Sequence, residues 1–205
     1  MNGSRTAAVP ASVSPYPERM SEPTHEPIDD PGPATPDDAD WTWVLTRPCP
    51  DCGFDPATVE AAAVPALLRD AGRRYAARLG EDDARTRPGE GVWSPLEYAC
   101  HVRDVCAVMT GRLEQILAGG GEVVTFANWD QDATAAERQY WRSDPDVVAL
   151  EVTAAFETAA TAYARPSGTE WEWPALRSNG SSFTAGTLAL YFVHDVRHHL
   201  WDVTA

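Results

Sequence analysis

The chain contains no lysine: all 16 of its basic residues are arginine, against 31 acidic residues and a net charge of −15 over 205 residues. Phosphate backbones and anionic bilayers are held by basic patches, so the shortage of positive charge argues against nucleic acid and anionic membrane as main partners. Missing too is any apolar run near the roughly 18 residues of a membrane span. The N-terminus lacks the charged-then-apolar pattern of a secretory signal, so cytoplasmic residence is the expectation. Cysteine is scarce. Four in a chain of this length (Cys49, Cys52, Cys100 and Cys106) do not make a disulfide scaffold, and in a reducing cytosol they read as thiols or ligands.

What is present suffices for one core, with 43% apolar residues and eight tryptophans. The first 40 residues stand apart. They carry eight acids, two arginines and many prolines, but hardly any large apolar side chain. Such a stretch cannot bury enough surface to offset its ordering entropy, so residues 1–40 are expected to be a disordered acidic tail, with His25 exposed in it. Residues 41–205 are expected to form the folded domain.

Four helices are expected there. The first is "VPALLRDAGRRYAARLG" (64–80), which carries apolar residues at helical spacing. The second, 94–121, opens on Ser94 as N-cap, Pro95 at the first helical position and Glu97 completing a capping box; three glycines end it. A third runs from about Pro145 to Ala164 behind the Asp144 cap. The fourth starts near Thr184 and carries the chain to its end. A shorter helix fits "QDATAAERQYW", and Asn179-Gly180 reads as a tight turn between two short extended pieces. Four helices without strand-helix alternation predict an all-α, antiparallel four-helix bundle with a short N-terminal CxxC element.

Three of the five histidines crowd into "HDVRHHLWDV" near the C-terminus. His194 and His198 are four apart, hence about 40° from each other around a helix, as a metal pair requires; His199 is rotated by about 100° from His198 and is not expected to share the site. His101 sits on the inward stripe of the second helix. Two helices can thus bring His101, His194 and His198 to one point, and three imidazoles with open positions make a catalytic zinc site. Nickel or iron accepts the same ligands. An HxxxH pair also arises where buried histidines are simply satisfied by carboxylates, so spacing alone leaves both readings open.

The segments "VWSPLEYACHVRDV", "NWDQDATAAERQYWRSDP", "RSNGSSFTAGTL" and "HDVRHHLWDV", in that order, resemble the actinobacterial branch of the DinB-like superfamily. These are metal-binding four-helix-bundle proteins related to thiol-dependent S-transferases and mycothiol-dependent maleylpyruvate isomerase. The resemblance covers residues 41–205. It implies a metal triad of one histidine on the second helix and an (H/E)xxxH pair on the fourth, matching His101, His194 and His198. It also implies chemistry: the metal, often zinc, holds a low-molecular-weight thiol such as mycothiol as thiolate for attack on a small electrophile. With water as ligand, the same site would serve a hydrolase. A non-catalytic metal-binding stress or interaction protein, and a homodimeric scaffold with a structural metal, are the other readings.

Asp104, Asp195 and Asp202 are placed to orient an imidazole through its second nitrogen, although each also fits a solvated helix face. Arg103, Arg177 and Arg197 are candidates for a substrate carboxylate, and Asn128 and Asp130 lie in the loop expected to cover the site. "CPDCGF" (49–54) is half a structural zinc site whose other half is not apparent, because Cys100 and Cys106 stand about 240° apart on their helix. A reduced turn packing Phe54 and the flanking tryptophans against the bundle is the leading reading; a redox pair lacks the strand-helix setting of a thioredoxin motif, and a disulfide or a zinc site shared between subunits through Cys49 and Cys52 is the alternative.

Overall fold

The computed structural model describes residues 28–37 and 39–204. Most of the expected tail, residues 1–27 with His25, lies outside the described residues. Residues 28–37 form no regular element, yet they lie along the domain: Thr35 N–H donates to Gly91 O at 2.8 Å, and Arg87 reaches Gly32 O at 3.0 Å.

Among the described residues five α-helices form, and all but the first begin behind a side-chain cap. They are α1 (Val64–Arg78), α2 (Pro95–Ala118), α3 (Gln131–Glu137), α4 (Pro145–Tyr163) and α5 (Ala185–Asp202). Ser94 and Glu97 form the capping box of α2, Asp130 caps α3, Asp144 caps α4 and Thr184 caps α5. Each satisfies amides that the first turn leaves without partners. Upstream of α1 the regular elements among the described residues are short 3-10 turns, at Trp41–Leu45, Pro56–Thr58 and Ala61–Ala63.

The bundle is not antiparallel throughout. Helix α1 packs on α4 and α5, and α2 packs on the same two. Tyr75 and Arg78 of α1 donate to the carbonyls of Val196 and Val203, so α1 and α5 run the same way. Arg103 pairs with Glu151 and Tyr163 donates to Met109 O, so α2 and α4 also run parallel. The pairs α1/α4 and α2/α5 are antiparallel, as expected. A parallel α2/α4 pair needs a connection that travels back along the bundle, and residues 119–144 make it.

That connection carries an unforeseen strand. Strands β1 (Val124–Phe126), β2 (Pro174–Arg177) and β3 (Ser182–Thr184) form a sheet in that order, with β1 parallel to β2 and β2 antiparallel to β3. The Asn179-Gly180 turn joins β2 to β3, and Gly180 adopts φ +96°. Three residues are too few to show a strand period, which explains why β1 leaves no trace in the sequence.

Close helix approach rests on Gly72. A Cβ there would stand 2.8 Å from Phe156 Cβ across the α1–α4 contact. Gly72→Ala is therefore expected to lower stability by about 1–3 kcal/mol despite alanine's better helix propensity, measured by urea denaturation.

Candidate metal centre

Helix α5 presents two i,i+4 pairs of ligand type, His194/His198 and Asp195/His199, offset by one residue and hence by about 100° around the helix. The structure sends them to different partners. His101, Asp195 and His199 form one cluster, and Cys49, Cys52, His194 and His198 form another. Within each, one ligand atom per residue lies within 4.8 Å of the others. The expected grouping of His101 with His194 and His198 is thus divided between two clusters. The reason is rotational. Helix α5 is covered on both of these flanks, by α2 on one and the CPDC turn on the other, so its own periodicity does not say which pair looks at α2.

In the first cluster, His101 is fully buried on α2. Its Nε2 lies 3.8 Å from Asp195 Oδ1, and His199 Nε2 lies 3.4 Å from the same oxygen. The His101 and His199 rings stand edge-on at 4.8 Å between centroids. Trp129 stacks on His101 at 5.6 Å and Trp93 flanks it at 5.2 Å, so two indoles neither sequence pattern nor resemblance singled out fix the ring's plane. His199 Nδ1 stands 2.8 Å from Asp202 Oδ2. A carboxylate only accepts, so Nδ1 carries a proton, and Nε2, on the side of Asp195 and His101, is the nitrogen left to bind a metal. Both His101 nitrogens and Asp195 Oδ1 are buried without a hydrogen-bond partner. Buried polar atoms left unpaired cost free energy, and here they converge.

The electrostatics favour the neutral His101 and ionised Asp195 that a metal needs, whereas His199 has a proton to give up first. Burial holds His101 below its ordinary pKa, overriding the pull of Asp195. Burial also opposes the Asp195 carboxylate, but the facing His101 and His199 imidazoles outweigh it and hold Asp195 below its usual value. For His199 burial is outweighed by Asp202 and Asp195, and its pKa is raised.

A cavity of about 690 Å³ opens beside both clusters and is lined by His194, Asp195, His198 and His199. Much of the remaining lining is carboxylate or carboxamide: Asp37, Asp40, Asn128, Asp130, Gln131 and Asn179. Arg177, at the end of β2, supplies a guanidinium to this wall, held by Asn179 Oδ1 at 2.9 Å and Ser181 Oγ at 3.0 Å. Asn128 lines the cavity, while its backbone N–H donates to Ser178 Oγ.

Other candidates are occupied elsewhere. Arg103 pairs with Asp104 and Glu151, and Arg197 donates to Cys52 O at 3.2 Å. Asp104 accepts from Arg103, Arg138 and the Tyr140 hydroxyl, the last at 2.5 Å. It braces α2 against the segment after α3 and does not orient an imidazole. Glu97 closes the Ser94 capping box and pairs with Arg87. The Asp195–His199 pair could have been found in the sequence by asking for a second i,i+4 pair beside HxxxH.

The fold is a four-helix bundle in which histidine and carboxylate from two facing helices form a candidate metal site beside a polar cavity. The chain is a member of the DinB superfamily, whose family model matches residues 66–203. In fold it is similar to YfiT from Bacillus subtilis, described as "a probable metal-dependent hydrolase with an unusual four-helix bundle topology". The TM-score is 0.61 at 15% identity, over 70% of this chain and 83% of that one. No curated protein matches the chain in sequence. Among the described residues no helix is long and apolar enough to cross a membrane.

Proposed function

We propose that the chain is a metal-dependent enzyme that holds a divalent cation, zinc being the expected one, with His101, Asp195 and His199, and activates a low-molecular-weight thiol for transfer to a small electrophile. One observation carries this reading: unpartnered buried ligand atoms of His101 and Asp195 converge with His199 beside a polar cavity. Three protein ligands leave coordination positions open, the arrangement of catalytic rather than structural sites. A divalent cation in such a site lowers the pKa of a thiol or water and so supplies a nucleophile at neutral pH.

The residues of this chain would do the rest. Asp202 fixes the tautomer and aim of His199 through the Nδ1 contact. Trp129 and Trp93 hold the His101 ring and keep water from it. Arg177 offers its charge to an anionic group on the electrophile. The carboxylates and carboxamides of the cavity wall suit a hydroxyl-bearing thiol such as mycothiol, because each can accept hydrogen bonds from its hydroxyls. The likeness to YfiT and the polar cavity favour hydrolysis as the second reading.

Thiol titration of the cobalt-substituted full chain separates the two. The transferase reading predicts a new sulfur-to-cobalt absorption in the difference spectrum, absent from His199→Ala. A thiol-independent turnover of ester or amide substrates, with no spectral response, would favour the hydrolase.

The pH dependence follows from His199. Because its pKa is raised, the metal must displace a proton whenever the pH lies below that value, so affinity at this site falls as pH falls through it. Asp202→Asn removes the main opposing charge and moves that fall to lower pH. It also weakens binding by about 10–100-fold above it, as read by competition with a chromogenic chelator.

A further inference from the structure

We propose that Cys49, Cys52, His194 and His198 form a second metal site, a closed tetrahedral zinc site that fastens the CPDC turn to α5. The four residues each bring one ligand atom within 4.8 Å of the other three, although 149 positions separate Cys49 from His198. Around a tetrahedral zinc, with bonds of about 2.3 Å to sulfur and about 2.1 Å to nitrogen, a sulfur and a nitrogen stand about 3.6 Å apart. Cys49 Sγ and His198 Nδ1 are 3.6 Å apart. His194, 3% exposed, has its Nε2 buried with no hydrogen-bond partner.

The turn is shaped to present both sulfurs. Cys49 N–H donates to Phe54 O at 2.8 Å and Gly53 N–H to Cys49 O at 3.1 Å, folding the loop back on itself. Gly53 takes φ +65°, a left-handed position that a side chain would strain. Phe54 is fully buried with its ring edge-on to His194 at 5.4 Å, and Arg197 grips Cys52 O from the next turn of α5. Two thiolates and two neutral imidazoles cancel the charge of a divalent ion, which suits a site this buried. The triad has one carboxylate and would keep a net positive charge for an anionic ligand.

Chemistry disfavours a redox role for the pair. Cys49 is 1% exposed, and the pair sits in a turn between short 3-10 segments rather than at the start of a helix, the setting that activates a redox thiol. Four protein ligands also leave no open position, which marks the site as structural. Its consequence is rotational: His194 precedes Asp195 and His198 precedes His199, so fixing the first pair fixes where the second pair points.

The test is metal content and spectroscopy on the full chain. His101→Ala combined with His199→Ala is expected to retain one zinc per chain, and its cobalt form to keep a sulfur-to-cobalt charge-transfer band without added thiol. Cys52→Ser is expected to lose both. Should that variant fail to fold, Cys52→His keeps four ligands and is expected to hold zinc with about half the charge-transfer intensity. No charge-transfer band in the full chain, zinc content indifferent to Cys52→Ser, or a mass two hydrogens low from a Cys49–Cys52 disulfide would each overturn the site. None of these readouts needs a substrate, so the outcome is independent of the reaction proposed above.

Discussion

His199→Ala is expected to abolish turnover while leaving the bundle folded. The substitution removes the ring nitrogen that faces His101 and Asp195, and it leaves Asp202 without its imidazole partner. Disturbing only an outer partner of a metal ligand typically costs 10–100-fold in affinity or activity, so deleting a ligand of a three-residue set should cost more than about 100-fold. Stability should suffer little, because His199 donates no buried backbone-bridging bond and its side chain is 18% exposed. His198→Ala separates the accounts. It removes a ligand from the cysteine cluster, so it should lower zinc content and thermal stability first and activity only as the cavity wall loosens. If both variants lost the same single metal, the division of α5 into two pairs would be wrong.

Asp104→Ala is expected to give the largest loss of stability among single polar substitutions near the site, about 3 kcal/mol. The carboxylate is 7% exposed and accepts from Tyr140, Arg138 and Arg103. Breaking a buried charge cluster by removing one member costs about 3–5 kcal/mol. The lower end applies because Arg138 is 57% exposed and finds water instead. Tyr140, 1% exposed, does not, and its hydroxyl is left unsatisfied. In a chain of this size about 3 kcal/mol corresponds to a fall in Tm of about 6–12 °C. Asp104→Asn, which still accepts from Tyr140, should fall between. A midpoint unchanged in Asp104→Ala would remove the bracing role.

Where a signal was local, the sequence carried it. The helix starts at Ser94, Asp144 and Thr184 are written in side chains that bond amides two or three residues on, and the observed helices begin behind them. Non-local relations were not legible. The parallel α2/α4 pair depends on the path of residues 119–144, and β1 is defined by pairing with β2 some fifty residues away. The site shows the same division. Every residue of both clusters is of ligand type, but helical phase measured from His198 sets His199 aside, whereas the structure groups it with His101 and Asp195; assignment to partners required the rotation of α5, which is set by what packs on it. The CPDC turn looked like half a site because its complement is carried on the last helix, and HxxxH looked like the triad's pair because that complement was unrecognised. Asp195, expected only to orient an imidazole, stands with the candidate ligands instead.

The most direct test of this account is the anomalous-scattering map of a zinc-loaded crystal. Two peaks per chain are predicted. One should lie about 2.3 Å from both Cys49 Sγ and Cys52 Sγ, the other about 2.1 Å from ring nitrogens of His101 and His199 with Asp195 beside it. A single peak bound jointly by His101, His194 and His198 would contradict it.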